Sequence, residues 1–224
     1  GVKPETVDRI FGELDRGTRG VFFRTLGSGR LRAPGFRIQF PWDLDHAVKS
    51  LAPIPEERFP AERALATAYR LYHAFGVDLE HGKLAVTVRD FAFGGQTIAL
   101  RVPDDVRLVV RKVPGLKSHA LLFHELGHAF SVTRTSESDP LYKGYEWVPG
   151  LLDPAFAEGV AETFSRMLDV PEVLTGVIGL SGEDAAKVVR RRKLEALVSV
   201  RRLQTAVAFE RAALEQPEGN LDAL

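Results

Sequence analysis

Residues 121–130 read LLFHELGHAF, and the interpretation of the whole chain starts from this stretch. Its apolar residues recur at helical spacing and predict a helix, which we expect to begin near Ser118 as N-cap and to end near Val132. Residues four apart on a helix lie on one face, with about 5–6 Å between their Cβ atoms. His124 and His128 are therefore expected to project together from one side of this helix.

This pair of histidines has the spacing of a zinc site, because imidazole nitrogens bind zinc at about 2.0–2.1 Å and two of them can share one ion. Glu125 lies at the edge of the same face, where its carboxylate can reach a zinc-bound water without binding the metal. Zinc lowers the pKa of such a water from roughly 15.7 towards 7, and a nearby carboxylate can take its proton. We predict His124 and His128 as ligands of one Zn²⁺ and Glu125 as the general base. A structural histidine pair on an apolar helix is the competing interpretation.

A catalytic zinc usually has three protein ligands and a water, so the motif needs a third ligand. One known solution continues the motif as HExxHxxGxxH. That solution fails here, because Ser131 and Arg134 stand where glycine and histidine are required. The third ligand must therefore come from another segment of the chain.

Residues 153–162, DPAFAEGVAE, supply candidate carboxylates on a second helix that we expect to begin at Asp153-Pro154. Glu158 and Glu162 are four residues apart and project from one face. Either carboxylate could be the third zinc ligand, and we predict Glu158 in preference to Glu162. We predict that Glu162 orients a ligand imidazole through its second ring nitrogen, a common arrangement around zinc. An acidic face in contact with solvent is the alternative.

The chain around these helices predicts an α+β fold that is mainly helical. Three segments rich in β-branched residues predict a small antiparallel or mixed three-strand sheet beside the HExxH helix. We expect residues 1–77 to form a mainly helical N-terminal segment and residues 78–224 to form the zinc-binding catalytic region. The predicted strands are 83–89, 97–102 and 106–113, and the longest predicted helix is 183–215.

Composition excludes several classes of function. The chain contains no cysteine, so disulfides, thiolate metal sites and thiol nucleophiles are ruled out. Lysine plus arginine and aspartate plus glutamate both total 30, and this balance argues against a nucleic-acid partner. No apolar run is long enough to cross a bilayer, so no membrane association is expected. A cysteine-free chain fits the reducing cytoplasm, which is the expected location.

These motifs resemble those of the gluzincin metallopeptidases, and most closely those of the oligopeptidase M3 family (thimet oligopeptidase and oligoendopeptidase F relatives). LLFHELGHAF resembles the active-site helix of that family, and FAEGVAETF resembles the downstream helix that carries its third zinc ligand. VPDDVRLVVRK, residues 102–112, resembles the edge strand that pairs with an extended peptide substrate in gluzincins. A free strand edge offers unpaired backbone groups to a peptide. The resemblance thus implies Val106, Leu108 and Val110 as substrate-binding residues.

The chain departs from this family after the third ligand, where the family supplies a histidine and tyrosine pair that stabilises the oxyanion. The 66 residues after Glu158 contain neither residue type. This departure predicts a fragment, a cleaved form or a reduced homologue of a longer peptidase. Tyr142 and Tyr145, which lie in a glycine-containing loop, are candidate substitutes, because a phenol can donate a hydrogen bond to an oxyanion. The alternative is that both are ordinary loop aromatics.

Taken together, these features predict a zinc-dependent metallopeptidase that hydrolyses oligopeptides. Two alternatives remain open at this point. One is a zinc hydrolase that acts on non-peptide amides. The other is a binding or structural module that keeps the zinc site but has no activity, because its oxyanion donors are missing.

Overall fold

The computed structural model describes residues 3–27, 40, 42–79, 83–134 and 154–215. Within these ranges the chain is mainly helical and contains one three-strand sheet, so the predicted α+β class is confirmed. The helices are α1 (Pro4–Phe22), α2 (Asp43–Leu51), α3 (Ala64–Ala74), α4 (Leu116–Thr133), α5 (Pro154–Ser165), the one-turn α6 (Pro171–Val173) and α7 (Gly182–Glu215). In the part of the chain that the structure describes, no helix is long and apolar enough to cross a membrane.

The sheet is mixed, which is one of the two forms predicted. Its strands are β1 (Leu84–Arg89), β2 (Gly95–Arg101) and β3 (Asp105–Arg111), and their order in the sheet is β1-β3-β2. β3 pairs in parallel with β1 and antiparallel with β2. The third strand of the sequence therefore lies in the middle of the sheet.

This strand order corrects the expectation that residues 102–112 form a peptide-binding edge. Both sides of β3 are hydrogen-bonded to neighbouring strands, so its backbone has no free edge for a peptide. The side chains of Val106, Leu108 and Val110 are buried in the core and are not available to a substrate. Among the described strands, β1 and β2 form the two edges of the sheet.

α4 packs against the face of the sheet formed by β2 and β3, and α3 and α5 pack against α4. Leu122, Phe123 and Leu126 of α4 are each at most 1% exposed, which shows that the apolar face of the motif helix is its core face. The core of this region also includes Phe59, Leu71, Tyr72, Val106, Leu108, Val110, Leu168 and Leu174.

The N-cap of α4 lies three residues earlier than expected, so Ser118 does not have this role. The N-cap is Gly115, which has a φ of 71°, a conformation that glycine adopts without steric cost. The backbone N–H of Leu116 donates to Glu56 Oε2 over 2.9 Å. A carboxylate from a distant segment thus satisfies one of the free amides at the start of the helix, where negative charge is favoured. The Ser118 hydroxyl instead donates to the Gly115 carbonyl.

The chain divides into two compact units, residues 54–189 and residues 1–53 together with 190–224. The predicted division of the chain into residues 1–77 and 78–224 stays a prediction. The second unit has its own small core, and the buried Arg191 there donates hydrogen bonds to the carbonyls of Ala52 and Lys49. Arg201 in the same unit pairs with Asp15. All of the residues discussed as a metal site lie in the first unit.

Candidate metal centre

α4 presents His124 and His128 on one face, as the spacing predicts. Their ring centroids are 4.9 Å apart and the ring planes are nearly perpendicular, at 85°. Both side chains are partly buried, with 26% and 20% of their surface exposed. Burial lowers the pKa of His128, against the opposing effect of the Glu158 carboxylate. A lowered pKa favours the neutral imidazole, which is the form that binds a metal.

α5 brings Glu158 to these two histidines. Glu158 Oε2 lies 3.3 Å from His124 Nε2, and Glu158 Oε1 lies 3.7 Å from His128 Nε2. One nitrogen or oxygen atom of each of the three residues lies within 4.8 Å of the others. Two atoms that bind the same tetrahedral zinc at about 2.0–2.1 Å are separated by roughly 3.4 Å. These three side chains could therefore hold one metal ion.

A glycine in the motif allows α5 to come this close. A Cβ atom placed on Gly127 would lie 2.6 Å from Ala161 Cα and 3.1 Å from Phe164 Cδ2. Such distances are shorter than any normal carbon–carbon contact, which is about 3.5–4.0 Å. Gly127 lies one residue before His128, and Ala161 lies three residues after Glu158. The close packing of α4 on α5 is therefore located at the metal centre itself.

Glu162 lies on the far side of the His124 ring from Glu158. Its Oε2 is 3.7 Å from His124 Nδ1, a distance that brings the opposite ring nitrogen near a carboxylate but is too long for a hydrogen bond. Its other oxygen accepts from Arg166 Nε at 2.7 Å, and Arg166 also contacts Asp169 at 3.2 Å. Arg166 was not predicted from the sequence. Its position four residues after Glu162, on the same helical face, was the available signal.

Glu125 is separate from the three candidate ligands and is 8% exposed. Burial raises the pKa of its carboxyl group, the His124 ring opposes this increase, and the Glu158 carboxylate adds to it. A carboxylate with a raised pKa is a stronger base than one in open solvent. Glu125 thus has the environment of a proton acceptor close to the metal centre.

The start of β2 covers Glu125, and this contact was not predicted. A Cβ atom on Gly95 would lie 2.6 Å from Glu125 Cγ, so only glycine leaves room for this carboxylate. Two residues later, the Thr97 hydroxyl donates to the backbone carbonyl of Glu125 over 3.2 Å. The Gly94-Gly95 pair in the sequence was the only signal for this approach, and glycine pairs have many other causes. β2 is therefore both an edge of the sheet and a wall of the site.

Two of the predicted site residues cannot be placed. Tyr142 and Tyr145, the candidate oxyanion donors, lie outside the described residues. Their role stays a prediction.

Comparisons of the chain with protein-family models, with curated proteins and with solved structures found no match. The resemblance to the gluzincins therefore stays a prediction based on the motifs. Because a fold alone does not determine function, we infer the function from the chemistry of the residues that the fold brings together.

Proposed function

We propose that this chain binds one zinc ion through His124, His128 and Glu158 and hydrolyses peptide bonds. The observation that supports this proposal is the convergence of two imidazoles and one carboxylate within 4.8 Å, beside the buried Glu125. Three protein ligands leave one position of a tetrahedral site open, as catalytic zinc sites require. The likeness of these motifs to those of the M3 oligopeptidases is consistent with the same function.

Each residue has a distinct role in this proposal. A zinc ion bound here would polarise the scissile carbonyl and acidify a water molecule. Glu125 accepts the proton of the attacking water and then transfers it to the leaving amine. Glu162 places a negative charge 3.7 Å from the second nitrogen of His124, and Arg166 fixes Glu162 through the 2.7 Å ion pair.

We place the substrate along β2 rather than along β3. β2 pairs with β3 on one side, and no other described strand pairs with its second side. An extended peptide can add to such an edge through backbone hydrogen bonds. Because β2 begins at Gly95, in contact with Glu125, a peptide on this edge would pass close to the proposed base. Ile98 and Leu100, which are exposed on this strand, offer apolar contacts to substrate side chains.

The experiment that tests this function compares wild type with Glu125→Gln on a panel of internally quenched peptides. The variant keeps the shape of the side chain but removes the proton acceptor. We expect kcat to fall by about 10²–10⁴-fold, the usual contribution of a general base, while zinc content is unchanged. Equal rates for the two proteins would remove Glu125 from this role.

The same panel separates the proposal from its alternatives when simple amides and backbone-N-methylated peptides are included. Zinc-dependent cleavage of a simple amide, with every peptide left intact, would indicate a hydrolase of another substrate class. Zinc binding without any turnover would indicate a binding module. Peptides with methylated amides cannot donate backbone hydrogen bonds, so we expect them to compete poorly with their unmethylated parents if binding follows β2.

A further inference from the structure

A second cavity lies in the same compact unit as the metal centre but is formed by different residues. Its volume is about 340 Å³, near the lower end of the roughly 300–1,000 Å³ usual for small-molecule sites. Residues from four segments of the chain line it, among them Arg58, Arg63, Thr67, Arg70, His119 and Ile178. His119 belongs to α4 but lies five residues before His124, and it is not part of the metal cluster.

Three arginines dominate the lining of this cavity, and among the described residues no acidic side chain lines it. Arg63 and Arg70 lie seven residues apart, on one face of α3 and the turn that precedes it, and Arg58 joins them from the turn Glu56–Arg58. All three side chains are exposed, and within the described residues none of them forms an ion pair with a carboxylate. Three positive charges are therefore concentrated around a concave surface, and no described carboxylate neutralises them.

The acidic residues of the same segment are directed elsewhere. Residues 56–63 read EERFPAER, so glutamates and arginines alternate closely in sequence. The glutamates nevertheless line a different cavity: Glu62 pairs with Lys112 at 2.7 Å, and Glu56 accepts from the backbone at the start of α4. The fold thus directs these glutamates away from the cavity that the arginines line.

The floor of the arginine-lined cavity carries neutral hydrogen-bonding groups. Thr67 is 3% exposed and His119 is 1% exposed. Thr67 Oγ1 accepts a hydrogen bond from Arg70 at 3.4 Å, which holds one guanidinium over the cavity. His119 Nδ1 lies 3.1 Å from the Ser118 hydroxyl and its ring packs edge-on against Phe59, so the imidazole is fixed in place. The Thr67 hydroxyl, below a ring of guanidinium groups, can donate a hydrogen bond to an oxyanion that the arginines attract.

We propose that this cavity binds the phosphoryl group of a small molecule. Guanidinium groups donate paired, parallel hydrogen bonds that match the oxygens of a phosphate, and three of them offset its charge. The cavity is also larger than a phosphate ion, and Ile178 supplies an apolar wall for the group that carries the phosphate. The ligand class is therefore a phosphomonoester or free phosphate, and the two share the same binding chemistry. This site is independent of zinc binding and of peptide hydrolysis.

The test is calorimetric titration of the full chain with inorganic phosphate and with glycerol 3-phosphate at constant ionic strength, with glycerol and sodium chloride as controls. We expect saturable binding of at least one phosphate compound and none of glycerol or chloride. Tighter binding of glycerol 3-phosphate would identify an ester as the ligand class, and equal binding would identify the phosphate group alone. Either result supports the site. The absence of saturable binding by both compounds would overturn it.

Variants locate the binding. Each of Arg58→Gln, Arg63→Gln and Arg70→Gln removes one charged donor from an exposed side chain, and we expect each to weaken phosphate binding by about tenfold. Arg89→Gln is the matched control, since Arg89 is an exposed arginine on β1 in the same unit and does not line the cavity. It should leave the affinity within about twofold of wild type. Binding that survives all three cavity substitutions unchanged would contradict the assignment.

Discussion

Replacing Gly127 by alanine tests whether the packing of α4 on α5 assembles the metal centre. The new Cβ would lie 2.6 Å from Ala161 Cα, which belongs to the backbone and cannot turn aside. A normal carbon–carbon contact is about 3.5–4.0 Å, so the two helices must separate locally by about 1 Å. Zinc–ligand distances vary by only about ±0.2 Å, so a shift of Glu158 with its helix would remove it from the reach of a shared ion.

Two quantities should therefore change in Gly127→Ala. Overpacking costs about 1–3 kcal/mol, and the better helix propensity of alanine offsets about 1 kcal/mol of this, so the free energy of unfolding should fall by at most about 2 kcal/mol. Zinc affinity should also fall, by about 10–100-fold, which is the usual effect of changing the residues that support zinc ligands. Competition titration with a chromophoric chelator measures the affinity, and urea unfolding measures the stability.

Gly159→Ala is the matched control, because Gly159 also lies in a helix and directly follows Glu158. Nothing lies within 4 Å of a Cβ atom placed there. This change should raise the free energy of unfolding by up to about 1 kcal/mol through helix propensity. It should leave zinc affinity within about twofold of wild type. If Gly127→Ala binds zinc as tightly as Gly159→Ala does, the packing of α4 on α5 does not assemble the metal centre.

Three further predictions follow from the surroundings of the site. Gly95→Ala would place a Cβ atom 2.6 Å from Glu125 Cγ and so displace this side chain. We expect kcat to fall by about 10²-fold while zinc is retained. An unchanged kcat in the peptide assay would contradict this prediction. Glu162→Gln removes the charge that faces His124 Nδ1, and we expect it to weaken zinc binding by about tenfold in the chelator titration. A zinc affinity equal to that of wild type would show that Glu162 only pairs with Arg166. Burial lowers the pKa of His119 from 6.5 to about 4. Between these two pH values the unfolded chain binds a proton that the folded chain does not. The free energy of unfolding therefore decreases as the pH falls through this range, by at most about 3 kcal/mol. Urea unfolding at several pH values should show a flatter profile for His119→Gln, and parallel profiles would exclude this cause.

The clustering of His124, His128 and Glu158 could be predicted because most of its geometry is local. The i,i+4 spacing within one helix determines that His124 and His128 share a face, and the same rule applies to Glu158 and Glu162. The meeting of the two helices is not local, but the requirement for a third ligand limited the candidates to two carboxylates. The structure places both near His124, on opposite sides of its ring.

The strand order could not be predicted in the same way. The alternation of residues in β3 is compatible with either a central or an edge position, because periodicity reports which faces are buried and not which strands are neighbours. β1 pairs in parallel with β3, although β2 lies between them in the sequence. This pairing covers the edge of β3 that would otherwise be free beside Val106, Leu108 and Val110. The contact of Gly95 with Glu125 and the ion pair of Arg166 with Glu162 depend on side-chain positions within the assembled fold.

The zinc content of the purified chain tests the central proposal most directly. Wild type and Glu158→Ala would be loaded with excess zinc, desalted together and measured by elemental analysis against protein concentration. We predict about one zinc ion per chain in wild type and well under half of that in Glu158→Ala, because two histidines alone hold zinc weakly. Wild type that retains no zinc, or a Glu158→Ala variant that retains as much as wild type, would contradict a centre formed by His124, His128 and Glu158.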